Sequence, residues 1–162
     1  MRGVEFEVDW SDNDLIQYRV TCSNGRFRGE TRMYLDHGAL GELAESLRGF
    51  PSSSKDSRDI ELGAPDAKFA GGGILMAFRC VDSVGHAVAI VRLRTDGCKG
   101  PGEPESVCLY IPVEAGAIDA FVDQAATIDE TLGATAYLQM ADHTVEQIQR
   151  KFPELANLPV SY

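Results

Sequence analysis

The chain has no apolar run approaching the ~20 residues that a bilayer-spanning helix needs. Its first ten residues, MRGVEFEVDW, are acidic and alternating, unlike the basic-then-apolar pattern of a secretory signal. The expected setting is therefore the reducing cytoplasm, without a membrane partner and with free thiols. There is no Cys-x-x-Cys pair among the four cysteines. Structural zinc sites bring ligands in close pairs, because four donors must share one small sphere. Nine residues separate Cys98 from Cys108, and Cys22 and Cys80 stand alone within alternating segments. Neither a zinc clip nor a redox motif is expected. Cys22 and Cys80 read as small core residues, and the stretch between Cys98 and Cys108, rich in Gly and Pro, reads as a turn.

Other absences narrow the chemistry further. His37, His86 and His143 share no metal-ligand spacing, and they read as capping or surface groups. Gly71-Gly72-Gly73 lacks the Lys and Ser/Thr of a phosphate-binding loop, and a strand-like segment follows it. It reads as a strand entry or bulge. No serine lies in a nucleophile-elbow pattern. No catalytic residue, metal or cofactor is assigned on these grounds, and the expectation is a protein that is not an enzyme.

Positive charge is scarce in one half of the chain. The net charge is −10, and no Lys or Arg occurs between Lys99 and Arg150. Residues 1–14 carry one Arg against five acids, and residues 103–162 carry two basic residues against ten acids. The middle, residues 15–102, is slightly basic, with twelve Lys/Arg against ten acids. Such a surface repels phosphate backbones, so direct nucleic-acid binding is disfavoured. It attracts a basic protein and speeds that encounter. Solubility alone is the competing explanation.

What is present reads as strands and a few helices. Val4, Phe6, Val8 and Trp10 alternate with acids, as do Ile16, Tyr18, Val20 and Cys22 with polar residues. Asn24-Gly25 is a strong hairpin signal. A third strand follows, with Phe27, Gly29, Thr31 and Met33 on one face. Leu40, Leu43, Ala44 and Leu47 have helical spacing, with Asp36 available as a cap and Gly49 and Pro51 as the stop. Ile60 marks a short strand. Ile74, Met76, Phe78 and Cys80 share a face of the next strand. The return strand places Val91 and Leu93 on one face and Arg92 and Arg94 on the other. Val107, Leu109 and Ile111 form the last clear strand, and Pro112 leads into a helix with Ile118, Phe121, Val122 and Ala125 inward. Residues 134–140 read as either strand or irregular. Thr144 to Gln147 has capping-box spacing, and Val145, Ile148 and Phe152 supply one apolar face of a third, short helix. The order predicts one α+β domain over 1–162: a mainly antiparallel β-sheet with two to three helices packed against it.

Five stretches taken together carry a resemblance: NGRFRGETRMY (24–34), LGELAESLRGFP (40–51), RDIELG (58–63), AGGGILMAFRCVDSVGHAVAIVRLRTDGC (70–98) and ESVCLYIPVEAGAIDAFVDQ (105–124). Over about residues 4–126 the chain resembles the WapI-like immunity family of small bacterial proteins. Residues 127–162 lie outside it as a C-terminal extension. The resemblance implies a cytoplasmic, non-enzymatic inhibitor that binds the C-terminal nuclease domain, often a tRNase, of a contact-dependent toxin. No contact residues come with the resemblance. Charge density points to Glu103, Glu105, Glu114, Asp119 and Asp123 as the surface for a basic toxin nuclease domain. Two alternatives stay open. One is a structural or regulatory interaction module, such as a homodimer through a sheet edge. The other is an anion or small-ligand binder using Arg92 and Arg94.

Overall fold

A computed structural model describes residues 1–64, 71–96 and 104–142. Its described elements are β1 (Gly3–Ser11), β2 (Leu15–Ser23), β3 (Arg28–Asp36), α1 (Ala39–Leu47), β4 (Ser57–Gly63), β5 (Gly73–Cys80), β6 (His86–Arg94), β7 (Ser106–Glu114), α2 (Ala115–Ala126) and β8 (Thr135–Gln139). The α+β class and the antiparallel pairing hold, but the strands divide between two four-stranded sheets. Sheet 1 runs β3-β2-β1-β8 and sheet 2 runs β4-β5-β6-β7. Two helices are described; the expected third, around Val145–Phe152, falls outside the described residues.

Period-two alternation builds both sheets. Val4, Phe6 and Val8 of β1 and Ile16, Tyr18, Val20 and Cys22 of β2 all point inward and are buried. On sheet 2, Ile74, Met76, Phe78 and Cys80 meet Ala87, Ala89, Val91 and Leu93 on the same inner face. The two inner faces and the apolar stripes of α1 and α2 form one core. Leu40, Leu43, Ala44 and Leu47 are the buried stripe of α1, as their spacing predicts.

Four local expectations are corrected. Trp10 does not continue the buried face of β1: the register slips between Val8 and Trp10, which turns the indole outward against Tyr34. The β2–β3 loop holds four residues, because Asn24 Oδ1 accepts from the N–H groups of Arg26 and Phe27, and Phe27 is exposed. Asp36 does not cap α1; Gly38 occupies that position in the left-handed region. Pro112 lies within β7, at a sheet edge where a missing N–H is tolerated, and α2 begins only at Ala115.

The Gly71-Gly72-Gly73 triplet is where the sheets meet. The Gly72 N–H donates to the Arg32 carbonyl at 2.7 Å, and its own carbonyl accepts from Ala64. Thr31 Oγ1 donates to the Arg94 carbonyl at 2.7 Å in the same corner. Sheet 1 thus hydrogen-bonds to sheet 2 through a backbone position that leaves no room for a side chain. At the other end, β8 returns after α2 to pair with β1, Gly3 opposite Gln139 and Glu7 opposite Thr135. Residues 135–139 therefore belong to the core sheet, although the resemblance leaves them outside its span.

The core contains one polar anomaly. The Tyr18 hydroxyl is buried with no hydrogen-bond partner among the described residues, and burial pushes its pKa up to about 12. An unmade buried hydrogen bond costs about 1–3 kcal/mol. Tyr18→Phe keeps the edge-on ring contact with Phe6 and removes that cost. It should raise the stability measured by urea denaturation by about 1 kcal/mol; a loss of that size would reveal a partner for the hydroxyl.

Candidate protein-binding surface

Charge is distributed unevenly over the two sides of the molecule. The outer face of sheet 1 is a lattice of opposite charges. Glu7 meets Arg19 at 2.5 Å, Asp9 meets Arg32 at 2.6 Å, and Arg28 meets Glu30 at 3.2 Å. The first two are the cross-strand pairs expected when Arg and acids alternate with core residues, and the third joins neighbours on one face of β3. Arg79 and Asp59 repeat the pattern at 2.6 Å on sheet 2. The excess negative charge therefore lies elsewhere.

It lies around α2. Ile118, Phe121, Val122 and Ala125 are spaced to face the core and are buried, with the Phe121 ring 6.0 Å from that of Phe6. Asp119 and Asp123, one turn apart, are thereby held on the exposed side, with Glu114 at the helix entry. Neither Asp119 nor Asp123 makes an ion pair among the described residues. Residues 104–142 contain seven acids and no Lys or Arg. Neighbouring α1, which packs on α2, adds Glu42 and Glu45. Arg48, at its end, is engaged with Glu45 at 2.8 Å, and the Asp123 charge also acts on it.

This arrangement is locally unfavourable to the free chain. Like charges at i and i+4 cost about 0.2–0.5 kcal/mol. Asp123 also lies near the negative end of the helix dipole, and no basic residue occupies the last turn. Conflict of this kind between charge pattern and local preference is the kind expected at functional or strained sites.

The five acids expected to act together are divided. Glu114, Asp119 and Asp123 share one region. Glu105 stands at the opposite end of β7, about 30 Å from Glu114 along the strand. Glu103 lies outside the described residues. Beside α2, a shallow cleft of 450 Å³ is lined by polar and apolar residues together, among them Glu114, Ala117, Ala120, Gln139, Met140 and Asp142, and Asp142 pairs with Arg2 at 3.3 Å. The sequence pattern missed Asp142, because only the return of β8 to sheet 1 brings it near α2.

The two alternative site arginines are on the outer face of sheet 2, as expected, but they do not form an open patch. Arg92 is 6% exposed and Arg94 5%. One Arg94 Nη donates to the Ala64 carbonyl. Cys22 and Cys80 are buried free thiols, in line with the core reading, and burial pushes the Cys22 thiol up to about 12. Cys108 is exposed on β7; Cys98 lies outside the described residues. No group of three His, Cys, Asp or Glu is placed to hold a metal among the described residues. No described helix is long and apolar enough to cross a membrane.

His37 and His86 each meet a carboxylate. His86 Nδ1 is 2.6 Å from Asp82. Burial would raise the Asp82 pKa, but the His86 ring and the backbone N–H groups of His86 and Val84 outweigh it and hold the carboxyl down at about 2. His37 Nδ1 is 2.7 Å from Glu130, and its Nε2 is 2.8 Å from the Asp12 carbonyl. Glu130 also accepts from the Gly38 N–H, tying the start of α1 to the α2–β8 connection. The Glu130 bond, and next the Asp12 carbonyl, raise the His37 pKa. A raised histidine pKa stabilises the fold fully below its unfolded value of about 6.5, and the contribution is lost as pH rises through the folded pKa. An NMR titration should place the His37 midpoint above 6.5 and return it toward that value in Glu130→Gln; no movement between the two would refute the pairing.

Comparison with known proteins gave no match: no family model, no curated protein and no solved structure is similar to the chain.

Proposed function

We propose that this chain is a non-enzymatic immunity protein that binds and neutralises the basic nuclease domain of a cognate contact-dependent toxin. The observation that carries the reading is the segregation of charge. Glu7, Asp9 and Glu30 of sheet 1 are matched by arginines, whereas Asp119 and Asp123 project from α2 without an ion-pair partner among the described residues. Nuclease domains that act on RNA present cationic surfaces to phosphate. Carboxylates spaced about 6 Å apart along a helix offer those cations an alternative anion. Long-range attraction speeds association, and the clefted flank of α2, lined in part by Ala117, Ala120 and Met140, supplies apolar contact beside the charges. The resemblance over residues 4–126 points to the same class of partner. Localisation in the cytoplasm, where such a toxin acts, belongs to this proposal.

Mixing the purified chain with the nuclease domain encoded beside it should abolish RNA cleavage at a one-to-one ratio. Cleavage that continues with the chain in excess would end the proposal.

A further inference from the structure

Arg94 is a buried cation without a counter-charge among the described residues. It lies on the outer face of β6 and is 5% exposed. A guanidinium carries five N–H donors and accepts nothing. One Nη donates to the Ala64 carbonyl. The Nε hydrogen and the two on Nη1 are buried and meet no acceptor among the described residues. The acids on this face do not supply one: Asp59 is engaged with Arg79 at 2.6 Å, and Glu61 lies exposed on edge strand β4. Native chains rarely leave a buried charge in this state, because only a partner offsets its desolvation.

The surroundings suit a small anion. β5 and β7 place Gly73 and Ser106 directly opposite Arg94. A Cβ at residue 73 would stand 2.8 Å from the Ala64 carbonyl oxygen, the atom that Arg94 reaches. The guanidinium therefore crosses β5 over a residue with no side chain. Ser106, on the other flank, is exposed and offers a hydroxyl. Arg92 stands two residues earlier on the same face, about 7 Å along the strand, and is 6% exposed. Two buried cations so close repel each other. An anion beside them relieves the repulsion and accepts the unused hydrogens. The N–H groups of a guanidinium match the oxygens of a phosphate or carboxylate in spacing and direction.

We infer that Arg94, with Arg92 beside it, binds a small oxoanion over Gly73 on the outer face of sheet 2, a class that includes inorganic phosphate, sulfate and carboxylates. The site is a closed one with a single set of unused donors, in place of an open basic patch. It makes no use of α2, so it stands or falls apart from the partner proposed above.

Phosphate, sulfate and acetate, each compared with chloride at matched ionic strength, test this on the full chain. The melting temperature of the native protein should climb with the concentration of at least one of them, by roughly 5 °C or more near saturation. Arg94→Met, which loses the charge, should lack that climb. Phosphate and sulfate also stabilise proteins generally, so a rise of equal size in both proteins, or no rise in the native one, overturns the inference. A second measurement needs no variant and survives any folding failure of Arg94→Met. The Nε–H resonance of Arg94 is followed by NMR in the native chain during the same titrations. It should move and saturate with the anion that raises the melting temperature; a resonance that none of the three moves overturns the inference. Which of the three acts separates a phosphate-like ligand from a carboxylate.

Discussion

Phe121→Ala is expected to lower the stability of the chain by about 4 kcal/mol, the size seen when a buried phenylalanine is truncated. Phe121 is fully buried and is the central residue of the α2 stripe. Its ring meets Phe6 at 6.0 Å, and Phe6 in turn meets Tyr18 edge-on at 6.5 Å. That chain of rings fixes α2 to the middle strands of sheet 1. Loss of the ring removes both the transferred apolar area and the contacts that orient the helix, and α2 has no side-chain cap to compensate. In a chain of this size the melting temperature should fall by roughly 10 °C or more. Phe121→Leu should recover much of the loss, because volume matters more than aromaticity at a packed site. A fall below about 1 kcal/mol for the alanine variant would show that α2 is not anchored there. The loss bears on the proposed function as well, because Asp119 and Asp123 are positioned only as well as the helix beneath them.

Gly72→Ala should cost about 3 kcal/mol for a different reason. A Cβ at residue 72 would overlap Thr31 Oγ1, and would stand 2.5 Å from the Arg94 carbonyl oxygen and 3.0 Å from that of Arg32. The Thr31 hydroxyl can rotate, but the two carbonyls belong to strands β6 and β3, held by their own ladders. The sheets must separate at that corner, breaking the Gly72–Arg32 hydrogen bond and disturbing the Thr31–Arg94 one. Overpacking commonly costs 1–3 kcal/mol, and loss of a buried hydrogen bond adds to it. Gly41→Ala, on α1 where nothing stands within 4 Å of the new methyl, is the control. It should be neutral or stabilising, since alanine favours helix over glycine by about 1 kcal/mol. Equal denaturation midpoints for the two variants would remove the account of the corner.

How far the fold could be read in advance follows from the range of the forces involved. Alternation fixed the inward faces of β1, β2, β5 and β6, and the spacing of Leu40, Leu43, Ala44 and Leu47 fixed that of α1, because these patterns are local. The slip at Asp9 that turns Trp10 outward left no mark in the pattern, since a bulge adds one residue without changing the types around it. The division into two sheets was hidden because short turns join neighbours in one sheet or two alike. The pairing of β8 with β1 spans most of the chain, and no local signal announces it. The site was legible only in part. The run without Lys or Arg showed that negative charge gathers in the last third, and charge density singled out Asp119 and Asp123 within the second helix. Glu105 shared the composition but not the place, because β7 carries it to the far end. That Glu7 and Asp9 of sheet 1 are paired with arginines on neighbouring strands, while Asp119 and Asp123 are not, required the strand register.

The most direct test of the proposed function is titration of the proposed partner, a basic toxin nuclease domain, with the native protein and with Asp119→Asn/Asp123→Asn, at low and high salt. The substitutions are nearly isosteric and exposed, so the fold should be retained. Native binding should be tight at low salt and weaken as salt rises. The neutralised variant should bind about a hundredfold more weakly at low salt, or about 2.8 kcal/mol, with the difference shrinking at high salt. Equal affinities for the two proteins at both salt concentrations would contradict the assignment of α2 as the binding surface.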